Sequence, residues 1–287
     1  MGKRHVFKII FVIAIIVQIS ACGPPANGNL SVGFKKCGDL KIPADMKCIP
    51  GGPFTRGSND VSIDEDTWRK IRDEGPVMKI ILSTFFIDTY EVTYSDYMKC
   101  YKAGECTKAG PNYRGYDNPR QPMLGLSWYQ ARKYCNWKNK RLPTEAEWEK
   151  AARGPNGELY PWGNKRADCK RSIIKERGKK GCGTGKTWDV GSRPAYRYGL
   201  YDMSGNSWEW VNDWYSPNYT KCGKNCSGKN PRGPCNGNDK CPGHKQKVLK
   251  GGSWWWDYRY ARASNRRSHF AKNKPYHHYG FRCAKTP

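Results

Sequence analysis

Apolar positions at helical spacing and helix caps mark three stretches of the chain as helical. In SWYQARKYCNWKNK, Trp128, Ala131 and Cys135 fall at i, i+3 and i+7, one face of a 3.6-residue period. Ser127 precedes that stripe and Gln130 follows three residues later, the reciprocal cap that satisfies the first free N–H groups of a helix. PTEAEWEKAARG repeats the device with Thr144 and Glu147; Ala146, Trp148, Ala151 and Ala152 form its apolar side, and Gly154 stops it. TYSDYMKCYKAG carries Thr93 and Asp96 at the same spacing, with Gly104 at its end. These signals predict three helices of roughly 10–13 residues each.

Elsewhere the pattern shortens. Runs such as MKIILSTFFIDTYEVT read as brief strands between turn residues, and 31 Gly and 19 Pro punctuate the rest. No internal repeat is visible. The prediction is an irregular α+β domain of low regular secondary structure, held by aromatic side chains and disulfides.

The apolar run IIFVIAIIVQI near the start is a different object. It is shorter than the roughly 20 residues that a membrane-spanning helix needs. Lys3, Arg4 and Lys8 precede it and ISAC follows, the order of a secretion signal with a lipobox. Cys22 is then the expected lipidated N-terminus. The expected organisation is a signal peptide over 1–21, a Gly/Pro/Asn-rich tether over 22–40 and one domain over 41–287. A lipid anchor in the membrane of the cell envelope, facing the periplasm or the cell surface, follows.

Export changes the meaning of the charge. The chain carries a net +26, and removing Lys3, Arg4 and Lys8 leaves +23. Outside the cytoplasm so basic a surface meets anionic glycans, envelope polymers or protein ligands rather than nucleic acid, or it serves solubility alone. Thirteen cysteines less Cys22 leave twelve, an even number in a compartment where disulfides persist. Cys37 with Cys48, Cys100 with Cys106 and Cys169 with Cys182 lie close in sequence. Cys222, Cys226, Cys235 and Cys241 read as two disulfides or as a zinc site.

Several longer segments carry a resemblance: CIPGGPFTRGS, FFIDTYEVTYSDY, LSWYQARKYCNWKNKRLPTEAEWEKAARG, YPWGN, VGSRPAYRYGLYDMSGNSWEWVNDWY and LKGGSW…RASNR…GFRCA. In that order, from about Met46 to Ala284, they resemble the formylglycine-generating enzyme (sulfatase-modifying factor) family. The resemblance implies a single domain related to the C-type-lectin fold. Enzymes of the family convert a sulfatase cysteine to formylglycine with copper, oxygen and two cysteines in the pattern G-G-S-x-x-C-x-x-x-x-C. Here those positions hold Trp256 and Ala261, and no cysteine occurs between Cys241 and Cys283. Copper(I) wants soft sulfur ligands, so no copper chemistry of that kind is expected. A related branch joins thiols to a histidine derivative on iron, through a histidine triad in a separate helical domain for which this chain has no room.

The resemblance also implies a disulfide between Cys135 and Cys283. It further implies a structural calcium loop in YDMSGNSWEW, with carboxylates from Asp202 and Glu209 and carbonyls from Gly205 and Ser207. Calcium takes six to eight hard oxygens, which such a turn could supply. The alternative is a plain turn in which Glu209 makes a salt bridge.

The stretch KGGSWWWDYRYARASNRRSHF spans the family's active-site rim. Trp255, Trp256, Asp257, Tyr258, Arg259 and Tyr260 interleave aromatic and charged groups, a composition suited to recognition. The competing reading is core, expected for Trp128, Trp148, Trp162, Trp208, Trp210 and Trp254. Adjacent Trp255 and Trp256 cannot both face inward easily. Three functions compete: a ligand-binding lipoprotein, an envelope assembly protein, and an enzyme of undetermined chemistry. The first is the expectation.

Overall fold

Capping residues decide where the helices begin. In this computed structural model, which describes residues 1–2, 33–60, 62–63, 70–110, 113–272 and 277–287, α1 is Tyr94–Lys102, α2 Trp128–Trp137 and α3 Glu145–Arg153. Ser127 and Thr144 form full capping boxes with Gln130 and Glu147. Thr93 accepts from the Asp96 amide, but aspartate is one carbon too short to return the bond and its carboxylate holds the Thr93 hydroxyl instead. Gly154 ends α3 at φ 71°, a left-handed position that costs glycine nothing. The helices run 9, 10 and 9 residues, slightly shorter than their sequence patterns.

The strands are β1 Met46–Ile49, β2 Gly52–Arg56, β3 Ser62–Ile63, β4 Lys70–Ile71, β5 Met78–Leu82, β6 Phe85–Asp88, β7 Trp208–Trp214, β8 Gln246–Lys250, β9 Arg266–Phe270, β10 Tyr279–Gly280 and β11 Ala284–Lys285. They form a sheet ordered β1-β6-β11, a second ordered β10-β7-β8-β9, and the pairs β2-β5 and β3-β4. The run at 78–93 thus becomes two strands and a turn, and low regular secondary structure is what the chain shows.

Two aromatic-rich clusters sit among these pieces. One joins α1 and α2 to Trp208, Trp210, Trp214 and Phe281; the other joins α3 to Phe54, Ile80, Phe85, Val211 and Val248. Trp128, Trp148, Trp208, Trp210 and Trp254 are fully buried, as expected. Trp162 is the exception: it is half-buried and stacks on Tyr160 at 5.2 Å.

Six disulfides use all twelve described cysteines: Cys37–Cys48, Cys100–Cys106, Cys135–Cys283, Cys169–Cys182, Cys222–Cys226 and Cys235–Cys241. The four-cysteine cluster is therefore two disulfides, not a zinc site. The chain divides into Met1–Gly33 and Phe34–Pro287. The second unit begins before the expected boundary at residue 41, because Cys37 is bonded to Cys48 and the Phe34 ring lies 2.7 Å from where a Cβ on Gly51 would stand. Cys22 and the apolar run of the expected signal lie outside the described residues.

Candidate functional site

The loop that leaves β8 closes on itself, and two glycines make this possible. Gly251 and Gly252 have φ of 97° and 76°, the left-handed region that side chains avoid. A Cβ on Gly252 would stand 2.8 Å from the Tyr260 carbonyl oxygen and 3.0 Å from the Ala261 Cα. The start and end of the 252–261 loop are therefore in backbone contact. Internal turns tighten it: the Trp256 amide donates to the Ser253 carbonyl and the Tyr260 amide to the Asp257 carbonyl, both at 3.1 Å. Ser204 Oγ fixes the Ala261 carbonyl at 2.6 Å.

The six expected rim residues are all in this loop, but they do not share one environment. Tyr260 is buried, at 3 % exposure, within the larger cluster, which corrects its assignment to the rim. Its ring meets that of half-buried Trp256 at 5.2 Å. Trp255 and Tyr258 are half-buried against two smaller clusters. Asp257 and Arg259 pair with each other at 2.7 Å. Burial would raise the Asp257 pKa, but hydrogen bonds from Arg259 hold it below the usual carboxylate range.

Basic residues from elsewhere cover the aromatic faces. Lys180 Nζ lies 2.9 Å from the Trp255 ring centroid, and the Arg166 guanidinium carbon lies 3.7 Å from that of Tyr258. His277 meets Trp255 edge-on at 5.6 Å and Trp254 at 5.4 Å. Burial, and after it the Lys180 charge, pull the His277 pKa down. The segment that brings these cations is pinned to the rim backbone: the Lys175 amide donates to the Trp256 carbonyl at 2.8 Å and the Gly181 amide to the Trp254 carbonyl at 2.7 Å. Sequence reasoning missed Arg166, Lys175, Lys180 and His277. For Lys175 and Lys180 the available signal was the dense run of Lys and Arg between Cys169 and Cys182; Arg166 lies just before that run, and no local pattern marks His277.

The four residues expected as calcium ligands lie away from this loop. Glu209 is fully buried, with both oxygens on the Arg282 guanidinium at 2.7 Å and Oε2 also accepting from Trp148 Nε1 at 2.7 Å. Asp202 Oδ2 accepts the Gly191 amide at 2.7 Å. Gly205 and Ser207 lie in the intervening turn, where Glu91 takes the Ser207 amide and hydroxyl. Burial raises Asp202 to about 6 despite the Gly191 hydrogen bond. It also raises Glu91 well above its ordinary value, with the charges of Asp202 and Glu209 adding to the shift. Among the described residues no group of three His, Cys, Asp or Glu is placed to hold a metal. The carboxylate expected for calcium is paired with Arg282 at 2.7 Å, the salt bridge that stood as the alternative.

Ala261 is buried, and Trp256 is half-buried. Neither position supplies sulfur.

Comparison with known proteins agrees with this architecture. The model of the sulfatase-modifying factor enzyme 1-like domain matches residues 38–287. The chain is 31% identical over 306 residues to the formylglycine-generating enzyme of Bos taurus, covering 84% of this chain and 75% of that protein. It is 34% identical over 267 residues to the serine/threonine-protein kinase pkn1 of Chlamydia pneumoniae, but spans only 38% of that protein's length against 85% of its own. The solved structure of PvdO from Pseudomonas aeruginosa superposes with a TM-score of 0.65 at 25% identity, covering 86% of this chain and 97% of that one. The chain belongs to the sulfatase-modifying factor (formylglycine-generating enzyme) family.

Proposed function

We propose that this protein is an envelope lipoprotein, anchored at Cys22, whose family domain binds an anionic partner and does not generate formylglycine. One observation carries the reading. Where the family pattern has its two thiols, this chain has Trp256 and Ala261, and the loop that holds them is overlaid by cations seated on aromatic rings. A copper(I) centre needs the sulfur that these positions lack. A preorganised cationic face on rigid aromatic supports suits recognition, because little side-chain freedom remains to be lost on binding.

The aromatic groups of the rim act through the cations they carry. Trp255 and Tyr258 hold Lys180 and Arg166, and these cations meet the ligand. Trp256 fastens the loop to the core.

A second reading, an enzyme of different chemistry in the same loop, draws support from the identity to a named formylglycine-generating enzyme. A glycan and protein array probed with the wild-type chain and with Tyr258→Ala separates the two. Binding that the variant loses while its melting temperature holds supports recognition at this face. Binding indifferent to Tyr258→Ala, or none to any charged partner, contradicts it.

A further inference from the structure

The cationic cover is a built hairpin rather than a loose charge run. Residues 165–186 hold nine Lys or Arg and two Asp or Glu. Cys169–Cys182 closes the segment, and Glu176 and Lys179 exchange both backbone hydrogen bonds around Arg177 and Gly178 at φ 48° and 80°, the tight turn that suits a hairpin. Both of its acids are occupied locally: Asp168 pairs with Arg171, and Glu176 Oε2 accepts the Cys169 amide at 3.3 Å. Among the described residues no carboxylate lies within ion-pair distance of Arg166, Lys175 or Lys180. The neighbouring rim acid, Asp257, is paired with Arg259. Burial and then the like charge of Lys175 draw the Lys180 pKa down.

Resting on the reading above, we propose that this face binds a linear acidic polysaccharide, whose acid groups lie along two fixed cationic posts. The posts are Lys180 on Trp255, with the charge of Lys175 beside it, and Arg166 on Tyr258. Two posts on separate rings favour a polymer over a single small anion, since the second contact becomes intramolecular once the first forms. The backbone argues against an acidic peptide added as a strand, because the Trp254 and Trp256 carbonyls are already taken by Gly181 and Lys175. Insertion into a lipid surface needs protruding apolar side chains, whereas Trp255, Trp256 and Tyr258 are packed down against the interior. Tyr113, 54% exposed and edge-on to His277 at 4.5 Å, adds an open ring beside the first post on which a sugar ring can lie.

The test is calorimetric titration of the purified full-length chain. The probes are oligogalacturonates of increasing length, sulfated dextran, neutral maltooligosaccharides, polyglutamate and phosphatidylglycerol vesicles. The proposal expects acidic glycans to bind and neutral ones not, with affinity rising at least about tenfold from monomer to hexamer and falling with salt. Lys180→Ala and Arg166→Ala should each weaken binding about tenfold, the loss expected for one charge-assisted contact. Lys102→Ala, at the exposed last position of α1, should change nothing. Equal binding by polyglutamate, vesicle binding that Lys180→Ala and Arg166→Ala weaken as much as they weaken glycan binding, or acidic-glycan binding that both post variants leave intact, overturns the proposal. So does the absence of acidic-glycan binding; if the array partner still depends on Tyr258 in that case, the broader reading stands and only this inference falls.

Discussion

Replacing Glu209 with glutamine separates an ion pair from a calcium site. Glu209 and Arg282 are both fully buried and joined by two hydrogen bonds of 2.7 Å. Removing one partner of such a pair typically costs 3–5 kcal/mol, because the other charge is stranded. Asp202 and Glu91 lie close to Arg282 and can ionise to compensate, so the lower end, about 3 kcal/mol, is expected. For a domain of this size that is a fall of roughly 6–12 °C in melting temperature. Calorimetric melting of wild type and Glu209→Gln, each in chelator and in millimolar calcium, reads the effect. The ion-pair account predicts equal wild-type melting in both buffers and the same loss for the variant in each. Calcium held at 100 times its dissociation constant would instead add about 2.7 kcal/mol to wild type. A wild-type gain of that size, absent from the variant, refutes the account.

Other outcomes follow from the same contacts. Cys135→Ala with Cys283→Ala opens a span of 148 residues and should cost about 5 kcal/mol on loop entropy, against about 2 kcal/mol for the Cys222–Cys226 pair; equal losses by denaturant unfolding would count against that ranking. Asp213 leaves Oδ1 buried without a partner, and burial with the Glu145 charge raises its pKa to about 7. Its contribution is therefore present below the ordinary carboxylate pKa and lost as pH rises through 7. Asp213→Asn should gain on wild type by on the order of 1 kcal/mol per pH unit across the window from 4 to 7, and a gap independent of pH would refute this. Mass spectrometry of the native N-terminus should find a diacylated Cys22, and any other N-terminus removes the lipid anchor.

What was legible in the sequence was local. Thr93, Ser127 and Thr144 announce helix starts because a cap acts across three residues. Cys37 and Cys48, or Cys100 and Cys106, announce disulfides because short separations leave few choices. Contacts made across the chain were not legible. Glu209 finds Arg282 across 73 positions, which no local pattern signals, so the calcium reading rested on the resemblance alone. Lys180 reaches Trp255 only because the hairpin folds back onto a distant loop through two backbone hydrogen bonds. The aromatic run at 254–260 drew attention to the right loop, yet it concealed that Tyr260 is core and that Trp255 supports a lysine rather than a ligand.

The claim that the family fold persists here without its thiol chemistry has one direct test. The purified chain, loaded with copper(I) under oxygen, is incubated with a cysteine peptide taken from a sulfatase, and the product is analysed by mass spectrometry beside an active member of the family. With Trp256 and Ala261 at the thiol positions, the account predicts that the peptide keeps its cysteine while the control converts it. Formation of the aldehyde by this chain would contradict the account.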